Sequence, residues 1–219
     1  LCLPKYRRYV ALGSAAIFLL TGMLPVTGAV SYINFNVLMM IAGTMGIVSL
    51  FIDSQMPARM ADILLSHVPN VKWAVVALAL FAGLISAFVD NVATVLMVAP
   101  VAMAISKRLK INPVPMIIAI AVSSNLQGAA TLVGDTTAIL LGGYAGMNFL
   151  DFFVYLGKPS MFFAVELGAL VSAAILLLMF RKEKAPIPEP QLTPVTNYVP
   201  TILLLGTIVL LILASFLPN

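Results

Sequence analysis

Apolar residues run in long stretches along this chain, and short polar clusters cut between them. The first stretch covers Tyr9 to about Thr27. Val26 to Ala29, with Ser31 and Asn34, reads as a turn. A second stretch runs from about Asn36 to Ile52 and carries Gly43 and Gly46, small residues that permit close helix packing. The cluster Asp53-Ser54-Gln55-Met56-Pro57 ends it. Between Ala58 and Val68, Arg59, Asp62, Ser66 and His67 alternate with Met60, Ile63, Leu64 and Leu65, which predicts an amphipathic helix lying in the interface. Asp62 and His67 are read there as a solvated polar face rather than a proton relay.

Lys72-Trp73 is a basic and aromatic interface anchor that opens the next run. That run extends to Ser106, which as one helix would be about 52 Å long, against ~30 Å of bilayer core. It must break, and Asp90-Asn91 is the polar point near its middle. Arms of about 24–28 Å suit a hairpin that re-enters and returns on its own side. Two short spans meeting at an external turn stay open as the alternative. Pro113 and Pro115 then mark a helix start. Residues 111–147 exceed one straight crossing, yet neither arm spans alone. The polar string Ser123-Ser124-Asn125-Leu126-Gln127-Gly128, continuing to Gly134-Asp135-Thr136-Thr137, splits them into two half-helices. Asn148 to Pro159 reads as a loop, and Ser160 to Phe180 as a span carrying Glu166. A Pro-rich linker follows, then a last apolar segment from Thr201 to Leu217.

Composition fixes the solvent. The chain is 62% hydrophobic and only 9% charged, with a mean hydropathy of +1.09. A soluble domain carries roughly 25% charged residues, so the chain reads as an all-α integral membrane protein, a polytopic helical bundle. Its basic residues sit in short clusters at segment ends, which argues against nucleic acid as a partner. Cys2 is the single cysteine and His67 the single histidine, so no metal-ligand spacing exists. The basic start followed by an apolar run also resembles a secretory leader, a reading that the membrane-embedded remainder disfavours.

Charge placement then tests the topology. With residues 5–8 in the cytoplasm, the spans proposed above place eleven of the 12 lysines and arginines inside and only Lys158 outside. This parity requires that 72–106 return to its own side or cross twice. It requires that 111–147 cross once. The linker 181–200 is then cytoplasmic.

Each polar break juxtaposes opposite partial charges. A helix ending at Val89 points carbonyls at the break, and Asp90 adds a full negative charge. The helix that follows offers free N–H groups, with Asn91 expected as its N-cap and Thr94 on its first turn. The second break repeats the pattern, with Ser124, Asn125 and Gly128 before it and Asp135 and Thr136 opening the next helix. Gly128 and Gly134 are expected to let the backbone unwind and approach an ion closely. Oxygen ligands for a hard cation thus lie beside amide donors for an anion. A Na+ site is expected at Asp90, Asn91, Asn125 and Gly128. Proton exchange on Asp90 or Asp135 stays open, as do a structural N-cap role for Asp135 and an exposed turn for Asp90. Glu166 is either functional or snorkels to the interface. A phosphate-loop reading of Gly128 to Thr136 fails, because its glycine spacing is one residue too long and Asp135 stands where Lys is required. Proteolysis by paired aspartates leaves the surrounding Asn, Ser, Thr and Gly unexplained.

The strings AFVDNVATVLMVAP and SSNLQGAATLVGDTTAILL resemble the ion transporter superfamily, the group of arsenite efflux permeases, NhaD-type sodium/proton antiporters and citrate and dicarboxylate carriers. Asn91, Thr94 and Pro100 match the hairpin-tip pattern, and Ala130-Thr131-Leu132-Val133-Gly134 matches a Gly-Thr-Leu-Ile-Gly-type string. The resemblance covers roughly residues 5–180. It implies a carrier of two inverted repeats, each with a re-entrant hairpin and a broken helix, working as a homodimer. It places Asp90, Asn91 and Thr94 at the hairpin-tip site and Asn125, Gly128, Thr131 and Asp135 at the broken-helix site. The chain departs from the pattern in two places. Asp90-Asn91-Val92 stands where dicarboxylate carriers show Ser-Asn-Thr, and Thr136-Thr137-Ala138 stands where antiporter-like relatives often show Pro-Pro-Asn.

On this reading residues 1–180 are a first-repeat transport domain, with spans at about 9–27 and 36–52, a hairpin at 72–106, a broken helix at 112–147 and a span at 160–180. Residues 181–200 are a linker, and 201–219 are the first span of an expected second repeat. The function expected is secondary transport of an anionic or oxyanion substrate of the citrate, dicarboxylate or arsenite class, coupled to Na+ or H+ across the plasma membrane. A Na+/H+ antiporter is the alternative, and a channel or membrane scaffold a more distant one. No enzymatic chemistry, and no cofactor beyond the coupling ion, is expected.

Overall fold

The computed structural model describes residues 6–23, 25, 33–187 and 192–217. The turn expected at Val26 to Ala29 lies outside them. The chain divides into two compact units, residues 1–38 and 39–219. The first contains α1 (Arg7–Leu20), whose Leu12, Ile17 and Leu20 are exposed. Helix α2 (Phe35–Asp53) starts in the first unit and continues into the second.

The second unit holds the other helices: α3 (Met56–Ser66), α4 (Val71–Ser86), α5 (Asn91–Leu109), α6 (Val114–Gln127), α7 (Thr136–Ala145), α8 (Met161–Met179) and α9 (Val199–Ala214). Among the described residues the only strands are β1 (Val154–Tyr155) and β2 (Lys158–Pro159), a short antiparallel hairpin. A loop was expected there. Left-handed Leu156 and Gly157 (φ 51° and 74°) close the hairpin turn. The fold is an all-α membrane architecture. Helices α2, α5 and α8, each 19 residues, are long and apolar enough to cross a membrane.

Local chemistry sets the boundaries. Asn70 caps α4 by accepting from the Trp73 N–H at 3.2 Å. Lys107 and Arg108 occupy the last turn of α5, where a helix favours cations, and Lys110 (φ 53°) ends it in a left-handed turn. Gly146 (φ 64°) ends α7 in the same way. Helix α3 starts at Met56, two residues before the expected amphipathic stretch, because left-handed Gln55 (φ 60°) turns the chain and Pro57 fits a first turn.

The core is built on α4. Val71, Val75, Leu78 and Ala82 are completely or almost completely buried, packed with Leu65 of α3, Val98 and Ala102 of α5, and Met116 and Ile120 of α6. Helix α4 packs most extensively on α6. The approach is close at Gly83, where an added Cβ would lie 2.8 Å from Gln127 Cγ and 2.9 Å from Ser123 Oγ. Helices α8 and α9 instead expose rows of Leu, Ile and Val, including Leu167, Leu170, Ile202 and Leu205. In a chain of this composition such faces meet lipid rather than water.

One expectation is corrected here. The polar face of α3 is not uniformly solvated. His67 is exposed, but Asp62 is buried, and its Oδ2 accepts from the Thr193 N–H and Oγ1–H at 2.8 and 2.6 Å. Periodicity alone assigns Asp62 to water. The chain segment after α8 returns to this face and supplies two donors, which is what burial of a carboxylate requires.

Candidate functional site

The first break is the link Ala87–Asp90, between α4 and α5. Its cap is Asp90, not the expected Asn91. Asp90 is extended (φ −45°, ψ 135°), and its Oδ1 accepts from the Val92 and Ala93 N–H groups at 3.0 and 3.1 Å. With Asp90 serving two first-turn amides, the helix starts one residue earlier than expected. Asn91 becomes the first helical residue and its side chain is released to reach across. Thr94 is buried and donates back to the Asp90 carbonyl at 3.0 Å, so its hydroxyl closes the first turn of α5.

The second break, Gly128–Asp135, is twice as long and joins α6 to α7. Gly128 stays right-handed helical (φ −57°), so unwinding starts after it. Asp135 precedes α7 in extended conformation, but no side-chain cap bond forms. Its two oxygens instead accept from Thr136 Oγ1 at 3.2 Å and Thr137 Oγ1 at 3.1 Å. The capping role that stayed open for Asp135 is therefore not the one its side chain performs.

The two breaks meet. Asn91 Nδ2 donates to Asn125 Oδ1 at 2.7 Å, and Ser124 Oγ donates to the Asn91 carbonyl at 3.1 Å. Thr131, fully buried, donates through Oγ1 to the Ala87 carbonyl. The glycine at 134 allows the approach. A Cβ there would lie 2.6 Å from the Gly128 carbonyl, 2.7 Å from that of Ser86 and 2.8 Å from that of Ala87. Three carbonyls from two helix ends thus converge on a backbone that only glycine permits. The expectation was close approach to an ion; the structure puts backbone against backbone.

Asp90, Gly134, Asp135 and Thr136 line one cavity of about 20 Å³, closed on its other side by Thr44 and Val48 of α2. A cavity of this size holds about one water-sized occupant. Among the described residues neither aspartate has a cationic partner, and no cluster of three or more His, Cys, Asp or Glu exists. The negative carbonyl ends of α4 and α6 and the positive amide ends of α5 and α7 are thus brought to one place.

One residue of this place was not legible in the sequence. Ser86 is completely buried at the end of α4, and its Oγ has no hydrogen-bond partner. It lies 3.6 Å from where a Cβ on Gly128 would stand, between the two breaks. A buried hydroxyl without a partner is a donor and acceptor held ready. Nothing in the local string Leu84-Ile85-Ser86-Ala87 marks it, since a lone serine in an apolar helix ordinarily bonds its own backbone. Glu166 stands apart from this cavity. It is half-buried on α8, beside Val165, which packs on Ala87 and Ala130.

Interrupted helices whose opposite ends face each other inside an apolar bundle define the class of helical membrane transporters. The chain belongs to the citrate transporter family (CitMHS), whose model matches residues 4–219, in keeping with the motif resemblance to the ion transporter superfamily. It is 44% identical over 94 residues to a 46 kDa membrane protein of Mycobacterium leprae, covering 43% of this chain and 22% of that one. It is 38% identical over 96 residues to an uncharacterized transporter of Mycobacterium tuberculosis, covering 44% and 22%. Over a longer stretch it is 29% identical across 187 residues to the P protein of Mus musculus, covering 82% of this chain and 22% of that protein. The chain therefore spans about 22% of the length of the curated relatives it matches. No solved structure gives a significant match.

Proposed function

We propose that this chain forms one half of the transport site of a secondary carrier that moves a small anion of the citrate, dicarboxylate or oxyanion class together with Na+ or H+. The observation that carries this reading is the convergence of the two breaks, tied by the Asn91–Asn125 bond, with Asp90 and Asp135 on one cavity. Four helix ends offer oxygen ligands and amide donors within one small volume. The family's own description adds weight to a carboxylate substrate.

The charges supply a coupling logic. Two carboxylates with no cationic partner repel an incoming anion. A cation or proton that occupies the oxygen side first removes that repulsion and leaves the uncapped α7 amides to receive the anion. Ser86 Oγ, Asp90, Asp135 and the free carbonyls would hold the cation; Asn91, Asn125 and Thr136 would orient the substrate. The re-entrant course of α4–α5, a plasma-membrane location with the basic start and the 181–200 linker in the cytoplasm, and a homodimer belong to the same proposal; the charge asymmetry supports the cytoplasmic side of the basic start and linker. Residues 1–180 and 201–219 then belong to successive inverted repeats.

The test is citrate uptake by the full-length carrier in proteoliposomes, with a Na+ or pH gradient imposed. Saturable uptake that collapses with an ionophore is expected. Unsaturable flux that follows the citrate gradient alone would identify a channel, and a chemically altered substrate an enzyme. One observation favours a second reading, a Na+/H+ antiporter: the paired acids on one cavity. Sodium-driven proton movement without any anion would establish it.

A further inference from the structure

The segment after α8 is pinned to the helices at three points. At its start, the Glu183 and Ala185 carbonyls accept from the Lys72 and Val71 N–H groups, both at 3.0 Å, and so satisfy the first turn of α4. At its end, Thr196 donates to the Ser54 carbonyl through its N–H at 3.1 Å and to the Asp53 carbonyl through Oγ1 at 3.3 Å. Between them, Thr193 makes both of its bonds to Asp62 Oδ2, at 2.8 and 2.6 Å. The first two fastenings use backbone carbonyls that many sequences supply. The third depends on one side chain, Asp62, which is 7% exposed and has no cationic partner among the described residues.

Beside Thr193 lies a groove of about 630 Å³, lined by Asp62 and Leu65 of α3, by Met97, Pro100 and Val101 of α5, and by Thr193. Helices α3 and α5 therefore have room to shift against each other, and Pro100 removes the N–H that would otherwise bond the Leu96 carbonyl, which loosens α5 at the same level.

We propose that Asp62 is a positioning residue: its bonds to Thr193 clasp residues 192–196 against α3 beside this groove, and the clasp sets how freely the α4–α5 hairpin, and with it the Asp90 end of the site, can move. Its consequence for transport rests on the carrier reading; the clasp itself does not.

Labelling in native membranes of the full-length protein tests it. Val195→Cys reports the strap, and Val89→Cys, 1% exposed in the first break, reports the hairpin. Asp62→Ala is expected to speed maleimide labelling at both positions by at least about tenfold, since two charge-assisted bonds are lost. Asp62→Asn, which keeps an acceptor oxygen, restores rates near the parent. If the strap cysteine speeds up and the hairpin cysteine does not, or neither does, the proposal is overturned. Should Asp62→Ala fail to reach the membrane, Asp62→Cys/Thr193→Cys serves instead. Its oxidised form is expected to lose most uptake and regain it on reduction; uptake undiminished by the crosslink overturns the proposal. Faster labelling at both positions in a protein that moves no anion would remove the carrier reading and leave the clasp standing.

Discussion

The two breaks carry the same residue types and use them differently. In the first, four residues suffice, and Asp90 spends one oxygen on two amides of α5. In the second, the link is twice as long and Asp135 touches only the hydroxyls of its neighbours. Capping fixes Asp90 in place as part of the helix start. Asp135 is free of that duty, so its carboxylate can exchange partners without unravelling α7. The contrast teaches that one break is a rigid rim and the other an adjustable one, although both present an acid to the same cavity.

The largest effect is expected where the second break presses on the first. Gly134→Ala drives a Cβ to 2.6–2.8 Å from three carbonyl oxygens, all backbone. None can swing aside as a side chain would. Overpacking of this kind costs about 3 kcal/mol or more, and a loss of monodisperse protein in detergent is expected. Gly128→Ala is the control inside the same break. Its Cβ would meet Asp135 Cβ at 3.3 Å, a contact relieved by a few tenths of an ångström, and a near-normal unfolding temperature is expected. Equal damage from both would mean that the carbonyl convergence at Gly134 does not hold the breaks together.

The aspartates come next. Asp90→Ala removes a cap used twice and is expected to cost about 1 kcal/mol of stability; Asp135→Ala, which removes no cap, is expected to change thermal unfolding little. Both are expected to lower uptake at least about tenfold, equivalent to about 1.4 kcal/mol. Asp90→Asn separates the two duties, because asparagine caps as well as aspartate but carries no charge. Normal stability with lost coupling is expected for it. A large stability loss in Asp135→Ala would erase the distinction between rim types.

Much of this site was legible before the structure. Asp and Asn inside apolar runs too long for one crossing mark where the helices stop, and both breaks fall where those clusters lie. The partnering of the breaks was less accessible. That Asn91 faces Asn125, and Thr131 faces the Ala87 carbonyl, depends on how α4 settles on α6, which involves Gly83 and residues whose string says only that they are apolar. The cap assignment missed by one residue because Asp and Asn are near-equal caps, and the choice falls to which side chain the facing helix can use. Asp62 was misplaced for a similar reason. Its donors come from a residue far along the chain, and helical periodicity sees only nearest turns.

The bridge between the breaks should register as coupling. Asn91→Ala and Asn125→Ala each lose the same 2.7 Å bond, so a double-mutant cycle on thermal stability is expected to give an interaction of about 0.5–1.5 kcal/mol. The lower end is expected, since Asn125 is exposed. Strict additivity of the two single changes would mean that the breaks touch without being tied.

The smallest expected effect has the most informative sign. Ser86 Oγ is buried against both breaks with no partner, so in the ion-free protein it is a desolvated polar group that contributes nothing in return. Removing such a group is nearly neutral or slightly stabilising. Ser86→Ala is therefore expected to unfold at the same temperature as the parent, or slightly higher, in choline chloride. In sodium chloride the order should reverse. An ion that binds only the folded protein stabilises it by RT ln(1 + [Na+]/Kd), and the parent, with one more oxygen ligand, has the lower Kd for sodium. The crossing of the two stability curves is a signature that a packing role does not produce, because a lost packing contact lowers both curves alike. Parallel curves would remove Ser86 from the cation site and leave the oxygens of the two unequal rims, Asp90 and Asp135, to hold the ion without it.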